Sequence, residues 1–277
     1  MAQVATETMP KLDKLVENDP QILTNGKRSN ERVTKGLTNE DRALETPIRH
    51  LQTQRSLMRP SREVELTLAR LDPHLVAIHE LDPRAVSQFN RLAISLISGA
   101  ARHTMKRVMM TSAHHGEGRT CISLNLAAAL ARARQRVLVI DTDLQRPSVG
   151  RLLGIDSEVG LAEAVSFGLQ PEEAITQIMP ANFHVLPTRG QVENSAELLA
   201  SHGFRRLLSE LDACYDFMLF DSAPLLTSAD ASLLGLNTDA TLLVVRPGAS
   251  SMAEMSKSIS LLNEETFFGV VMNRVNG

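Results

Sequence analysis

One segment constrains this chain more than any other. The apolar run Val108-Met109-Met110-Thr111 leads straight into Ser112-Ala113-His114-His115-Gly116-Glu117-Gly118-Arg119-Thr120, and that loop leads into helix-type sequence carrying Ile122, Leu124, Leu126, Ala127 and Leu130. The order is strand, glycine-bearing loop, helix. Gly116 and Gly118 let the backbone curl so that its N–H groups point inward, and the start of the following helix adds partial positive charge. A loop of this shape suits an anion.

The remainder of the chain supplies a matching frame. Further apolar runs lie at Val137–Ile140, Phe183–Leu186, Phe217–Phe220, Ala240–Val245 and Gly269–Met272, most of them separated by long amphipathic stretches. Short apolar strands alternating with helices indicate a parallel sheet covered on both faces. The expected fold is α/β, a three-layer P-loop NTPase fold with a mostly parallel central sheet. A helix is expected to start at Asp82-Pro83, where Val86, Phe89, Leu92, Ala93 and Leu96 fall at helical spacing. Residues 1–80 read differently. Charges of both signs are dense and mixed there (Lys27, Arg28, Glu31, Arg32, Lys35, Glu40, Asp41, Arg42), and apolar residues follow no period. This part reads as a flexible leader with a short helix around Arg62–Leu71, and residues 81–277 as the folded domain. A tail without function and a docking arm for a partner both fit the leader.

The loop matches the Walker A phosphate-binding pattern at most positions, so Ala113, His114, His115, Gly116, Glu117, Gly118, Arg119, Thr120 and Cys121 are candidate contacts to ATP or ADP. Thr120 is placed to offer its hydroxyl to Mg2+. Ala113 stands where the first Gly is usual, and Arg119 where Lys is usual. A guanidinium is a wide planar fork and an ammonium a compact point charge, so Arg119 can neutralise phosphate without reproducing the lysine's contact. Two later strands end in acid: Val137–Ile140 in Asp141-Thr142-Asp143, and Phe217–Phe220 in Asp221-Ser222-Ala223-Pro224. In a parallel sheet the carboxyl ends of neighbouring strands line one crevice. The carboxylates of both clusters are therefore candidates, with Thr120, to hold magnesium directly or through its waters, and one of them to orient or deprotonate an attacking group. Asn273 and Arg274, after the last strand, are candidate contacts to the nucleotide. A helix cap at each Asp and a plain turn at Asn273 are the alternatives. His114 and His115 suggest no metal site, since adjacent side chains diverge and no further ligand is at hand.

Composition excludes several classes. The formal charge is only -3, there is no Trp, and Tyr occurs once, so neither a nucleic-acid field nor a base-stacking platform is present. Cys121 and Cys214 form no metal cluster or disulfide framework and suit a reduced cytoplasm. No signal peptide precedes the domain and no apolar run is long enough to span a bilayer, so direct membrane insertion is not expected.

From Pro83 to Val275 the chain resembles the cytoplasmic ATP-binding domain of the bacterial tyrosine kinases of capsule and exopolysaccharide synthesis, within the wider MinD/ParA-like P-loop class. The resemblance is carried by Thr111-Ser112-Ala113 with Gly116-Glu117-Gly118, by Val139-Ile140-Asp141-Thr142-Asp143-Leu144 with Arg146-Pro147-Ser148, by Tyr215-Asp216-Phe217 and Asp221-Ser222-Ala223-Pro224, and by Asp230-Ala231 and Val244-Val245-Arg246. It implies a nucleotide-binding partner of a membrane polysaccharide co-polymerase, peripheral at the inner membrane through that partner. Asp141 and Asp143 would then be the catalytic and magnesium-linked pair, and Asp221 the Walker B aspartate. The departures are specific. Gln145 stands where the family has an Arg. Ser87, Asn90 and Ala93 stand where its assembly helix has a Glu and two Arg. The chain ends at Val275-Asn276-Gly277 where the family has a tyrosine-rich tail, and Tyr215 adjoins a core strand. These departures argue against a self-phosphorylating ring, though not against a homo-oligomer, and for a divergent member with weakened phosphoryl transfer. An active kinase for a partner's tyrosine is the alternative. A positioning ATPase of the ParA or MinD kind is a third reading; it lacks the second loop lysine, whose place His114 holds, and a basic helix after Asn273.

Overall fold

A computed structural model describes residues 58–67, 69–80 and 82–273. In chain order the elements are β1 (Arg62–Glu65), α1 (Val76–His79), α2 (Pro83–Arg102), β2 (Arg107–Ser112), α3 (Arg119–Arg132), β3 (Val137–Thr142), α4 (Val149–Leu153), α5 (Leu161–Phe167), α6 (Pro171–Ala174), β4 (Thr176–Met179), β5 (Phe183–Leu186), α7 (Ser195–Ala200), α8 (His202–Asp212), β6 (Phe217–Ser222), α9 (Asp230–Gly235), β7 (Ala240–Val245), α10 (Met252–Ser260) and β8 (Phe267–Met272).

The strands form one sheet in the order β1-β4-β5-β3-β6-β2-β7-β8. All neighbours run parallel except β4 and β5. Each of the six apolar runs seen in the sequence is a strand. Successive strand side chains point to opposite faces, and here both faces are covered. Val108 and Met110 of β2, with Val137 and Val139 of β3, enter one core with Phe89, Leu92 and Leu96 of α2 and Ile122 and Leu126 of α3. Met109, Leu138 and Ile140 enter the other, with Phe204, Leu207 and Leu211 of α8 and Leu234 of α9. The result is helices, sheet, helices. A smaller cluster of Leu225, Ala231, Leu243 and Val245 meets Met255 and Ile259 of α10. The start of α2 is as expected, with Asp82 accepting from the Arg84 and Ala85 N–H groups.

The last part of the expected leader is built differently. Arg62–Glu65 is a strand parallel to β4 and not a helix. Leu71, Leu75 and Ala77 are buried in the first core. Asn125 of α3, itself 1% exposed, accepts from the Ala77 N–H at 2.7 Å and donates to the His74 carbonyl at 3.0 Å. Arg132 donates to the Ala77 carbonyl at 2.7 Å. Short pieces pinned by hydrogen bonds to another helix need no apolar period of their own, which is why no pattern marks them. The folded body therefore begins before residue 81. The leader reading for residues 1–57 lies outside the described residues.

Candidate functional site

Sheet order decides which acids meet. β6 lies between β3 and β2, so Asp141 is in register with Asp221, and Asp221 with Met110. Both carboxylates reach the crevice at the carboxyl ends of these strands, beside the first turn of α3. There the Thr120 hydroxyl donates to Asp221 Oδ2 at 2.6 Å and meets the Ser148 hydroxyl at 2.7 Å. Ser123 Oγ donates to Asp221 Oδ1 at 3.3 Å. Asp141 Oδ2 accepts the N–H groups of Ser148 and Val149, each at 2.9 Å. Its other oxygen, Oδ1, is buried with no hydrogen-bond partner among the described residues.

These two carboxylates resist ionisation. Burial first, and then the charge of Asp221, hold the Asp141 carboxyl well above the ordinary carboxylate range. Burial pushes Asp221 up to about 6, against the opposing pull of the Arg119 charge and the Thr120 and Ser123 hydrogen bonds. A buried acidic pair of this kind takes up either a proton or a cation. The donors around it are hard oxygens, and Asp141 Oδ1 is unsatisfied, so Thr120, Asp141 and Asp221 fit Mg2+. Ser148 joins them. Sequence reading assigned it no role, although a Pro-Ser pair before the apolar run of α4 is a legible helix-start signal.

The loop itself is tied internally. Gly116 and Gly118 have φ of 82° and 94°, and Gly118 opens α3. A Cβ on Gly118 would lie 2.0 Å from Asn273 Nδ2, so glycine is needed both for conformation and for approach. Asn273, expected to contact the nucleotide, donates from Nδ2 to the Glu117 carbonyl at 2.8 Å. It also lines a cavity of about 140 Å³ with Gly118, Cys121, Asn125, Asp82 and Phe89. Glu117, grouped with the phosphate contacts in the sequence, is fully buried and turned into the protein. Its carboxylate accepts from the His114 N–H at 3.0 Å and the Ser250 hydroxyl at 2.9 Å. Ala113 is buried. Arg274 lies outside the described residues.

Arg119 is 7% exposed. It donates to Ser112 Oγ at 2.5 Å, to the His114 carbonyl at 3.0 Å and to Asp143 Oδ2 at 3.0 Å. Asp143 Oδ1 accepts the Arg146 N–H at 3.1 Å. His115 lies 4.0 Å from Asp143, and burial, followed by the Arg119 charge, lowers its pKa. The Arg119–Asp143 pair could not be foreseen from either motif alone, since each is legible without reference to the other.

The departures noted in the sequence take definite places. Gln145 binds the Val192 carbonyl and the Ser195 hydroxyl, at 3.1 and 3.0 Å, and so holds a loop. On α2, Ser87 and Asn90 are exposed and Ala93 is buried in the core. Tyr215 is 1% exposed and bonded to His184 Nδ1 at 2.7 Å. Burial raises the Tyr215 pKa and lowers that of His184 to about 4.

Comparison with known proteins gives a consistent result. Residues 105–266 match the family model described as AAA domain. The tyrosine-protein kinase YwqD of Bacillus subtilis is 30% identical over 207 residues, 74% of this chain and 87% of that protein. Tyrosine-protein kinase etk of Escherichia coli is 34% identical over 171 residues, 61% of this chain but only 23% of its own length. The solved kinase domain of the Escherichia coli enzyme covers 79% of this chain with a TM-score of 0.67 at 28% identity, and 93% of that domain is matched. The chimerical protein CapA2B2 covers 81% of this chain, with 97% of its own length matched, at a TM-score of 0.69 and 24% identity, a likeness in fold. Overlap with 87% of YwqD at 30% identity, together with the acidic strand ends meeting one phosphate-loop helix, establishes that the chain belongs to the bacterial tyrosine-protein kinase family of capsule and exopolysaccharide synthesis, on a P-loop NTPase fold.

Proposed function

We propose that this protein binds Mg-ATP or Mg-ADP at the loop and regulates polysaccharide assembly through a membrane co-polymerase, with phosphoryl transfer weakened. The carrying observation is the Arg119–Asp143 pair, 3.0 Å apart and nearly buried. Thr120, Ser148, Asp141 and Asp221 would hold Mg2+, which supplies charge neutralisation on the phosphates when bound. The N–H groups at the start of α3 would face the phosphates. Asp143 is the residue best placed to take a proton from an attacking hydroxyl, but both its oxygens are engaged, one by Arg119 and one by the Arg146 N–H. Arg119 in turn is held by Asp143, Ser112 and the His114 carbonyl. Binding is thereby compatible with slow chemistry. Tyr215 is too buried to accept phosphate, so it is not the acceptor tyrosine.

Calorimetry with Mg-ATP and Mg-ADP on the full chain, with Arg119→Lys alongside, tests the binding half. Transfer to a tyrosine-bearing peptide tests the other. We expect nucleotide binding by the natural protein and faster transfer by the Lys variant, which frees one oxygen of Asp143. Equal, fast transfer by both would show an active kinase for a partner's tyrosine. Absence of binding by both would remove the nucleotide site.

A further inference from the structure

The phosphate loop is gripped from outside by the connection between β7 and α10. Ser251 caps α10, its hydroxyl accepting the Glu254 N–H at 3.3 Å, while Glu254 Oε2 accepts the N–H and hydroxyl of Ser251, each at 2.8 Å. This capping box is complete with one carboxylate oxygen. The second oxygen, Oε1, is turned onto the loop and lies 2.9 Å from His114 Nε2. One residue before the cap, Ser250 Oγ donates to Glu117 Oε1 at 2.9 Å, and Glu117 Oε2 accepts the His114 N–H at 3.0 Å. The chain of contacts closes on itself: His114 to Glu117, Glu117 to Ser250, Ser250 to the α10 cap, and Glu254 back to His114. It joins residues separated by 133 and 140 positions in sequence.

We propose that Glu254 is a positioning residue for the phosphate loop, acting through His114, and that it couples nucleotide binding to α10. The proposal rests on the nucleotide-site reading above. Two features support a regulatory contact over a purely structural one. The His114 and Glu254 side chains are 35% and 42% exposed, so their pair is reachable by solvent and weak enough to open. It also bears on the loop itself, two residues before Gly116, where a displacement would be passed along the chain toward the N–H groups of Gly116 to Thr120. Coupling of this kind is reciprocal: a ligand on the loop steadies the start of α10, and disturbance of α10 loosens the ligand.

The test uses the full chain with His114→Ala, Glu254→Ala, the double variant, and His114→Gln, which keeps an N–H donor. Two readouts are needed: Mg-ADP affinity, and amide hydrogen exchange across residues 114–120. Each Ala variant should weaken Mg-ADP by about three- to fivefold, the worth of one exposed hydrogen bond to a carboxylate. The double variant should lose no more than one single, and His114→Gln should recover most of the loss. Exchange at the loop should quicken in the Ala variants while β2 and β6 stay protected. Additive losses, or loop exchange equal to that of the natural protein, would overturn the proposal. If the natural protein binds no Mg-ADP, the nucleotide reading fails, and the exchange comparison alone decides whether the clasp sets the loop.

Discussion

The two walls of the crevice are built on opposite principles. The acidic wall, Asp141 and Asp221, is buried and under-satisfied: two carboxylates face each other across paired strands, one oxygen has no described partner, and both groups titrate high. The loop wall has its carboxylates satisfied: Glu117 and Asp143 use both oxygens, and Arg119 makes three hydrogen bonds and leaves only its Nε, among the described residues, without a partner. The acidic wall holds stored repulsion that a cation relieves. The loop wall holds its own shape. A site of this kind can bind a metal-bearing ligand at one wall while the other resists rearrangement, and under the proposed function that resistance would slow phosphoryl transfer.

The largest expected effect breaks the acidic wall. Because the folded pKa of Asp221 lies above its unfolded value, the folded state gains protons over the unfolded one. The stabilising contribution is full below about pH 4 and is lost as pH rises through about 6. The difference from the ordinary value corresponds to on the order of 3 kcal/mol. Asp221→Asn should therefore flatten the stability–pH profile of the metal-free protein between these values and raise its neutral-pH stability, while abolishing any rise in Tm on adding Mg-ADP. Urea unfolding across this pH range checks it, and a profile as steep as that of the natural protein would refute the contrast.

Glu117→Gln should behave in the opposite sense. Glu117 is buried and both its acceptor contacts are used, so an amide can keep the His114 N–H contact only by turning its NH2 to Ser250 Oγ, which must then accept instead of donate, and both contacts lose their charge. A loss of about 1–3 kcal/mol is expected. Equilibrium denaturation measures this, and a stabilised variant would mean that the two walls are alike after all.

Gly118→Ala comes next, costing about 1–2 kcal/mol for a side chain at positive φ. Asn273 must also turn away from the Glu117 carbonyl, since the new Cβ would meet its amide. Pairing it with Asn273→Ala sharpens the point: if the Asn273 contact is the smaller part, the double variant should be nearly as unstable as Gly118→Ala alone.

Much of the frame was legible. The six strands that carry the site declare themselves through unbroken apolar runs, because a strand covered on both faces has no polar side to show. The loop and the acidic strand ends are equally plain, since their chemistry requires particular residue types at fixed spacing. Arg62–Glu65 and Thr176–Met179 were not read as strands. They lie at one side of the sheet, they are only four residues each, and β1 is largely exposed and charged. Glu117 and Asn273 stand among the nucleotide candidates, and the bonds they make to Ser250 and to the Glu117 carbonyl span more than a hundred residues and could not be read from either segment.

The sequence by itself determined a glycine-bearing strand–loop–helix and two acid-tipped strands, because local periodicity and turn chemistry encode each of these within a dozen residues. Only the tertiary structure decided which charge answers which. Arg119 meets Asp143, Glu117 meets Ser250, and Glu254 meets His114 because β3, β6, β2 and β7 are neighbours in that order. Strand order is a property of long-range packing over the whole sheet, and hydrogen bonds spanning more than a hundred residues leave no mark on any local pattern.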